Sequence, residues 1–115
     1  MKSKILALSK NEEFKSLLKK KKISNKYVTI FFGKLANKDK NKLNISFVTK
    51  KKIGNAVKRN KIRRKLKSIV VKLLKINDAI NKDYTYIVFG KSKAYTEKHE
   101  TLMKTMISSF KKINT

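Results

Sequence analysis

The sequence predicts an α+β sandwich, helices laid on one small sheet in the order α-β-β-(β)-α-β-α, and three observations carry that prediction. Residues 56–76 contain neither glycine nor proline, and Ile62, Leu66, Ile69, Val70 and Leu73 recur at spacings of three and four, one buried stripe on a long helix. Runs 27–32 and 43–48 before it, and 84–89 after it, are rich in β-branched and aromatic residues, as strands are. A second helical stripe closes the chain. With 115 residues there is material for one core, so residues 1–115 read as a single domain.

Taken in order, residues 1–8 read as a flexible basic arm. Ser9-Lys10-Asn11-Glu12 fits a capping box, and Phe14, Leu17 and Leu18 then share one helical face. The lysines at 19–22 read as the solvated end of that helix. Residues 27–32 form the first strand; in 43–48, Leu43, Ile45 and Phe47 alternate with Asn44 and Ser46, a half-buried strand. The polar segment 36–41 joins them as a hairpin loop. A brief third strand at 51–53 leads to the long helix, with Gly54 supplying a positive φ at the turn and Asn55 an N-cap. Residues 77–83 read as a loop and 84–89 as a strand ended by Gly90. Thr96 then caps a helix whose stripe is His99, Leu102, Met103, Met106, Ile107, Phe110 and Ile113. Its methionines read as gap-filling core.

Charge narrows the function. Against 32 Lys and Arg stand 7 Asp and Glu, a formal net charge of +25. Such an excess repels itself in a compact chain and calls for a polyanionic partner. Hydrophobic residues make up 40% of the chain, too many for simple disorder. Cysteine is absent, which excludes a disulfide framework or thiolate metal site. The apolar run 5–8 is too short for a signal peptide core, and no stretch reaches the length of a membrane span. The chain reads as soluble and cytoplasmic, with no membrane partner.

The same inventory argues against catalysis by the polypeptide alone. His99 is the only histidine, and no second ligand accompanies it. Glu12, Glu13, Glu97 and Glu100 fall in first helical turns, where carboxylates offset the dipole. No Gly-rich phosphate loop or serine motif is present. No catalytic residue, metal ligand or protein-held cofactor is assigned.

Nucleic-acid binding has far more support. Lys58, Arg59, Lys61, Arg63, Arg64, Lys65 and Lys67 line about 15 Å of helix, a dense positive surface with Arg59 beside the apolar stripe. Here Lys51-Lys52-Ile53-Gly54-Asn55-Ala56-Val57-Lys58-Arg59-Asn60-Lys61-Ile62-Arg63-Arg64 resembles the signature of the protein subunit of bacterial ribonuclease P, in a fixed order over fourteen positions. Lys61 and Lys67 stand where the family has arginine, keeping charge without the guanidinium fork.

The resemblance implies a fold like the second domain of a small-subunit ribosomal protein, with a left-handed β-α-β crossover. It implies a subunit that helps a catalytic RNA remove the 5′ leader from precursor tRNA, with magnesium in the holoenzyme held mainly by RNA and substrate. The RNA-binding residues it implies are Lys51, Lys52, Asn55, Lys58, Arg59, Asn60, Lys61, Arg63, Arg64 and Lys67. Phe14, Leu18, Val28, Ile30 and Phe32 read as core on composition alone. The resemblance makes them instead the lining of a cleft for the single-stranded leader, where bases stack on aromatic rings. Two rival readings remain at this stage: another basic RNA-binding, ribosome-associated protein on a related fold, and a membrane-active cationic protein, against which the strands and Asn60 argue.

Overall fold

A computed structural model describes residues 5–6, 11–34, 42–76 and 79–114. Its elements are β1 (Ile5–Leu6), α1 (Asn11–Leu18), β2 (Lys21–Ser24), β3 (Val28–Gly33), β4 (Leu43–Val48), α2 (Ala56–Leu73), β5 (Thr85–Gly90), α3 (Lys93–Thr96) and α4 (His99–Asn114). The expected α+β class holds. The strands form one sheet in the order β1-β4-β5-β3-β2, so β5, last in sequence, is central. It runs antiparallel to β3, from Val28 opposite Gly90 to Gly33 opposite Thr85. It runs parallel to β4, with Ile45 opposite Tyr86 and Phe47 opposite Val88. The β4-α2-β5 unit is therefore a parallel crossover between neighbouring strands.

This register sorts the side chains by face. Val28, Ile30 and Phe32 stand opposite Gly90, Val88 and Tyr86, with Ile45 and Phe47 beside them. α2 and α4 cover that face, and Tyr86 meets Phe110 edge-on with ring centroids 5.2 Å apart. Ile62, Leu66, Ile69, Val70 and Leu73 of α2 are all buried there, as the 3.6-residue period requires. Leu102, Met106, Phe110 and Ile113 of α4 are buried, while His99, Met103 and Ile107 are half-buried. Gly90 lets α2 come close. A Cβ on it would lie 2.5 Å from Cγ2 of Ile62 and 3.1 Å from Cδ1 of Leu66. The opposite face carries Thr29, Phe31, Ile87 and Phe89. α1 covers part of it, with Leu17 and Ile87 fully buried and Phe14 edge-on to Phe89 at 6.5 Å.

Several expectations need correction. Residues 51–53 make one turn of 3-10 helix rather than a strand, with the Gly54 N–H donating to the Lys51 carbonyl at 3.3 Å. The segment has to turn into α2, and a bend there leaves no ladder for a strand. Gly54 has φ 159°, positive as expected but close to extended, and a Cβ there would lie 2.8 Å from Cδ of Lys58. The lysine run 19–22 does not simply end α1. Lys21 and Lys22 open edge strand β2, Lys21 opposite Phe32 and Ser24 opposite Thr29. Lysine suits an exposed edge because its charge blocks pairing with another chain. Part of the expected arm is also ordered: Ile5 and Leu6 pair in parallel with Leu43 and Asn44. The remainder of the arm, Ser9 and Lys10 of the capping box, and loop 36–41 lie outside the described residues; the strands that loop was expected to join as a hairpin, β3 and β4, do not pair, because β5 lies between them.

The helix ends shift as well. α2 stops at Leu73, three residues short of the expected Ile76, and closes through a turn in which the Ile76 N–H donates to the Leu73 carbonyl at 3.0 Å. Thr96 ends the short α3 instead of capping α4. Asn55 caps α2 as expected, its Oδ1 accepting the Lys58 N–H at 2.9 Å.

Candidate nucleic-acid interface

The charge of α2 is displayed unevenly. Arg64, Lys67, Lys61 and Asn60 are exposed, as are Lys51 and Lys52 on the preceding turn. Arg63 is half-buried and not free: its guanidinium donates to Thr49 Oγ1 at 2.8 Å and to Asn60 Oδ1. That ties α2 to the end of β4, so Arg63 joins fold and charge in one side chain. Arg59 is half-buried, with a buried Nε that has no hydrogen-bond partner. Asn55 uses its carbonyl oxygen in the helix cap, which leaves its amide nitrogen free to donate elsewhere. Lys58 leans the other way and donates to Ser92 Oγ at 2.9 Å.

Lys65 belongs to the fold. Its ammonium donates to the carbonyls of Ala94, Tyr95 and Glu97 at 2.8, 3.0 and 2.7 Å, pinning α3 against α2. Burial, then repulsion from Lys61, lowers its pKa below the usual lysine value. Nearby, the Glu97 carboxylate accepts the Tyr27 hydroxyl at 2.6 Å and the Lys98 N–H at 2.8 Å. Those two hydrogen bonds, Tyr27 first, hold Glu97 below its ordinary pKa.

The cleft lies on the α1 face and measures about 810 Å³. Phe31 and Phe89 form its floor, edge-on at 5.5 Å, with Leu18, Thr29, Ile53 and Gly90 around them. Lys22, Lys50, Lys52 and Lys91 rim it. Lys22 sits 5.8 Å over the Phe31 ring and Lys50 5.9 Å over that of Phe89. Of the residues expected here, Leu18 lines the cleft and Phe14 reaches it through Phe89. Val28, Ile30 and Phe32 do not: Val28 and Ile30 are fully buried under α2 and α4, and Phe32 shares their face, edge-on to Tyr84 at 5.6 Å. The expectation has the wrong parity along β3. Thr29 and Phe31 are the cleft positions, and Phe89 joins them from β5. Both β3 and β5 carry apolar residues at either parity, so alternation in the sequence could not choose a face. The placement of α1 chooses it.

The cleft and the basic helix adjoin. Gly90 and Ser92 line the cleft, Lys52 lies on the turn before α2, and Lys58 of α2 reaches Ser92. Among the described residues, no group of three or more His, Cys, Asp or Glu side chains is placed to hold a metal. Nor is any described helix long and apolar enough to cross a membrane.

An α+β sandwich with a cationic helix beside a lysine-rimmed aromatic cleft has the features of a basic RNA-binding protein. The chain belongs to the ribonuclease P protein family, whose model matches residues 3–114. It is 32% identical over 106 residues to the ribonuclease P protein component of Mycoplasma mycoides subsp. mycoides, covering 92% of this chain and 94% of that protein. The Bacillus pumilus protein component is also 32% identical over 106 residues, with coverage of 91% and 85%. Among solved structures, the Staphylococcus aureus RNase P protein is similar at a TM-score of 0.68 and 26% identity, covering 94% of each chain. The Thermotoga maritima RNase P protein shares the fold at a TM-score of 0.74 and 20% identity, over 93% of this chain and 96% of that one. The chain is thus a protein subunit of an endoribonuclease whose partner is the ribonuclease P RNA.

Proposed function

We propose that this chain binds the ribonuclease P RNA through the exposed cations of α2 and the turn before it, and holds the 5′ leader of precursor tRNA in the cleft between α1 and the sheet. In this reading the RNA carries the chemistry, with magnesium held by RNA and substrate, and the complex works in the cytoplasm. The protein lowers repulsion between two polyanions and positions the leader.

One observation supports the reading above others. The cleft is apolar at its floor and cationic at its rim, and it opens beside the start of α2. A single-stranded segment can stack its bases on Phe31 and Phe89 while Lys22, Lys50 and Lys52 meet its phosphates. A duplex cannot present bases in that way.

The test is Phe31→Ala in a reconstituted complex of this protein with the RNA subunit. A lost stacking surface is worth about 1–3 kcal/mol per base, so leader-bearing precursor should bind roughly 5- to 150-fold more weakly. Mature tRNA should bind as before. Equal weakening of both, or of neither, would remove the leader from this cleft. Binding to RNA without any stimulation of leader removal would favour a basic RNA-binding protein of another kind.

A further inference from the structure

Tyr95 is the one described ring with two lysine ammoniums over it. Lys61 Nζ lies 5.1 Å from its centroid and Lys58 Nζ 5.3 Å. Lys58 and Lys61 are three residues apart on one ridge of α2 and repel each other, so as free side chains they would splay into solvent. A carboxylate would normally hold them together. Glu97, the acid next to α3, is already engaged by Tyr27 and Lys98. The negative face of the Tyr95 ring takes the carboxylate's place. The backbone that carries the ring is held in place, because Lys65 grips the carbonyls of Ala94, Tyr95 and Glu97. Ser92, the residue just before α3, orients Lys58 from the side.

A ring attracts ammoniums without neutralising them. Two full positive charges and a hydroxyl therefore gather around one solvent-facing ring, without a counter-ion from it. We infer that Lys58, Lys61 and Ser92, gathered by Tyr95, form a built site for one RNA backbone phosphate where the basic helix meets the cleft. Tyr95 is a positioning residue: it sets the lysines, and the lysines bind. This deepens the RNA-binding reading and rests on it. α3 thereby joins α2 and the turn before it in the RNA surface.

The experiment compares Tyr95→Phe, which keeps the ring, with Tyr95→Leu, which keeps apolar bulk for the core and removes the ring. Affinity for the ribonuclease P RNA is measured across a salt series. Tyr95→Phe should bind within about twofold of the parent protein, while Tyr95→Leu should bind roughly fivefold more weakly at low salt, with a log–log salt slope shallower by about one. In the free protein, NMR should show ring-current shifts on the Lys58 and Lys61 side-chain methylenes, retained in Tyr95→Phe and lost in Tyr95→Leu. Unshifted methylenes in the parent protein, or Tyr95→Leu binding with the parent slope, would overturn the site. If the parent protein itself shows no salt-sensitive RNA binding, the underlying RNA-binding reading fails, and the ring-current measurement still reports separately on the lysine geometry.

Discussion

At the scale of single residues, α1 gives a clean separation of fold from function. Leu17 is fully buried against the sheet, whereas Phe14, three residues earlier, is half-exposed and touches Phe89 at the cleft. Leu17→Ala should cost about 2–5 kcal/mol of stability in a urea melt, the range for a buried leucine. Phe14→Ala should cost clearly less and show its effect in leader-dependent affinity. A Phe14 variant as unstable as the Leu17 variant would place Phe14 in the core. Glu97 supplies a pH test. Its folded pKa is depressed, so the stability it contributes is present above the ordinary glutamate range and is lost as pH falls through the lower folded value. Melting temperature should fall on acidification below about pH 4, and Glu97→Gln should flatten that limb. An unchanged limb in the variant would mean the Tyr27–Glu97 pair contributes nothing to acid sensitivity.

At the scale of elements, the approach of α2 to β5 depends on one missing side chain. Gly90→Ala would set a methyl 2.5 Å from Ile62 Cγ2, inside a close-packed layer. The cost should be about 1–3 kcal/mol, as for other overpacked cores. Ile62→Ala in the same chain should recover part of it, giving a measurable coupling in a double-mutant cycle. Additive effects would show that α2 shifts as a whole instead. These two elements were also the most legible in the sequence. The stripe from Ile62 to Leu73 and the run at 84–89 each carry one strong period. β2 was illegible because Lys21 and Lys22 give an edge strand the composition of a solvated helix end. The turn at 51–53 carries no cue that separates a short strand from a 3-10 turn. Of the site, the cations of α2 were readable from charge and order. The cleft was readable only as far as α1, because choosing Phe31 over Ile30 requires knowing which face α1 covers.

For the whole molecule, net charge sets the behaviour. Six to eight phosphate contacts imply a log–log salt slope of roughly −4 to −7 for RNA binding. Arg64→Glu with Lys67→Glu changes two exposed cations on the solvent side of α2, so it should lower the steepness by about two while leaving the melting temperature nearly unchanged. Retention of the full slope would move the contact surface off α2. The sheet order has a consequence for how the protein is made. β5 lies between β3 and β4 yet leaves the ribosome after both. Until Thr85–Gly90 has been synthesised, β2–β3 and β1–β4 are two separate pairs, each exposing the edge meant for β5, and the stripe of α2 has half its floor missing. A chain stalled before that point cannot assemble this sheet. Birth of the protein thus ends in one late closure around its central strand, and the nascent chain is open to wrong pairing until then.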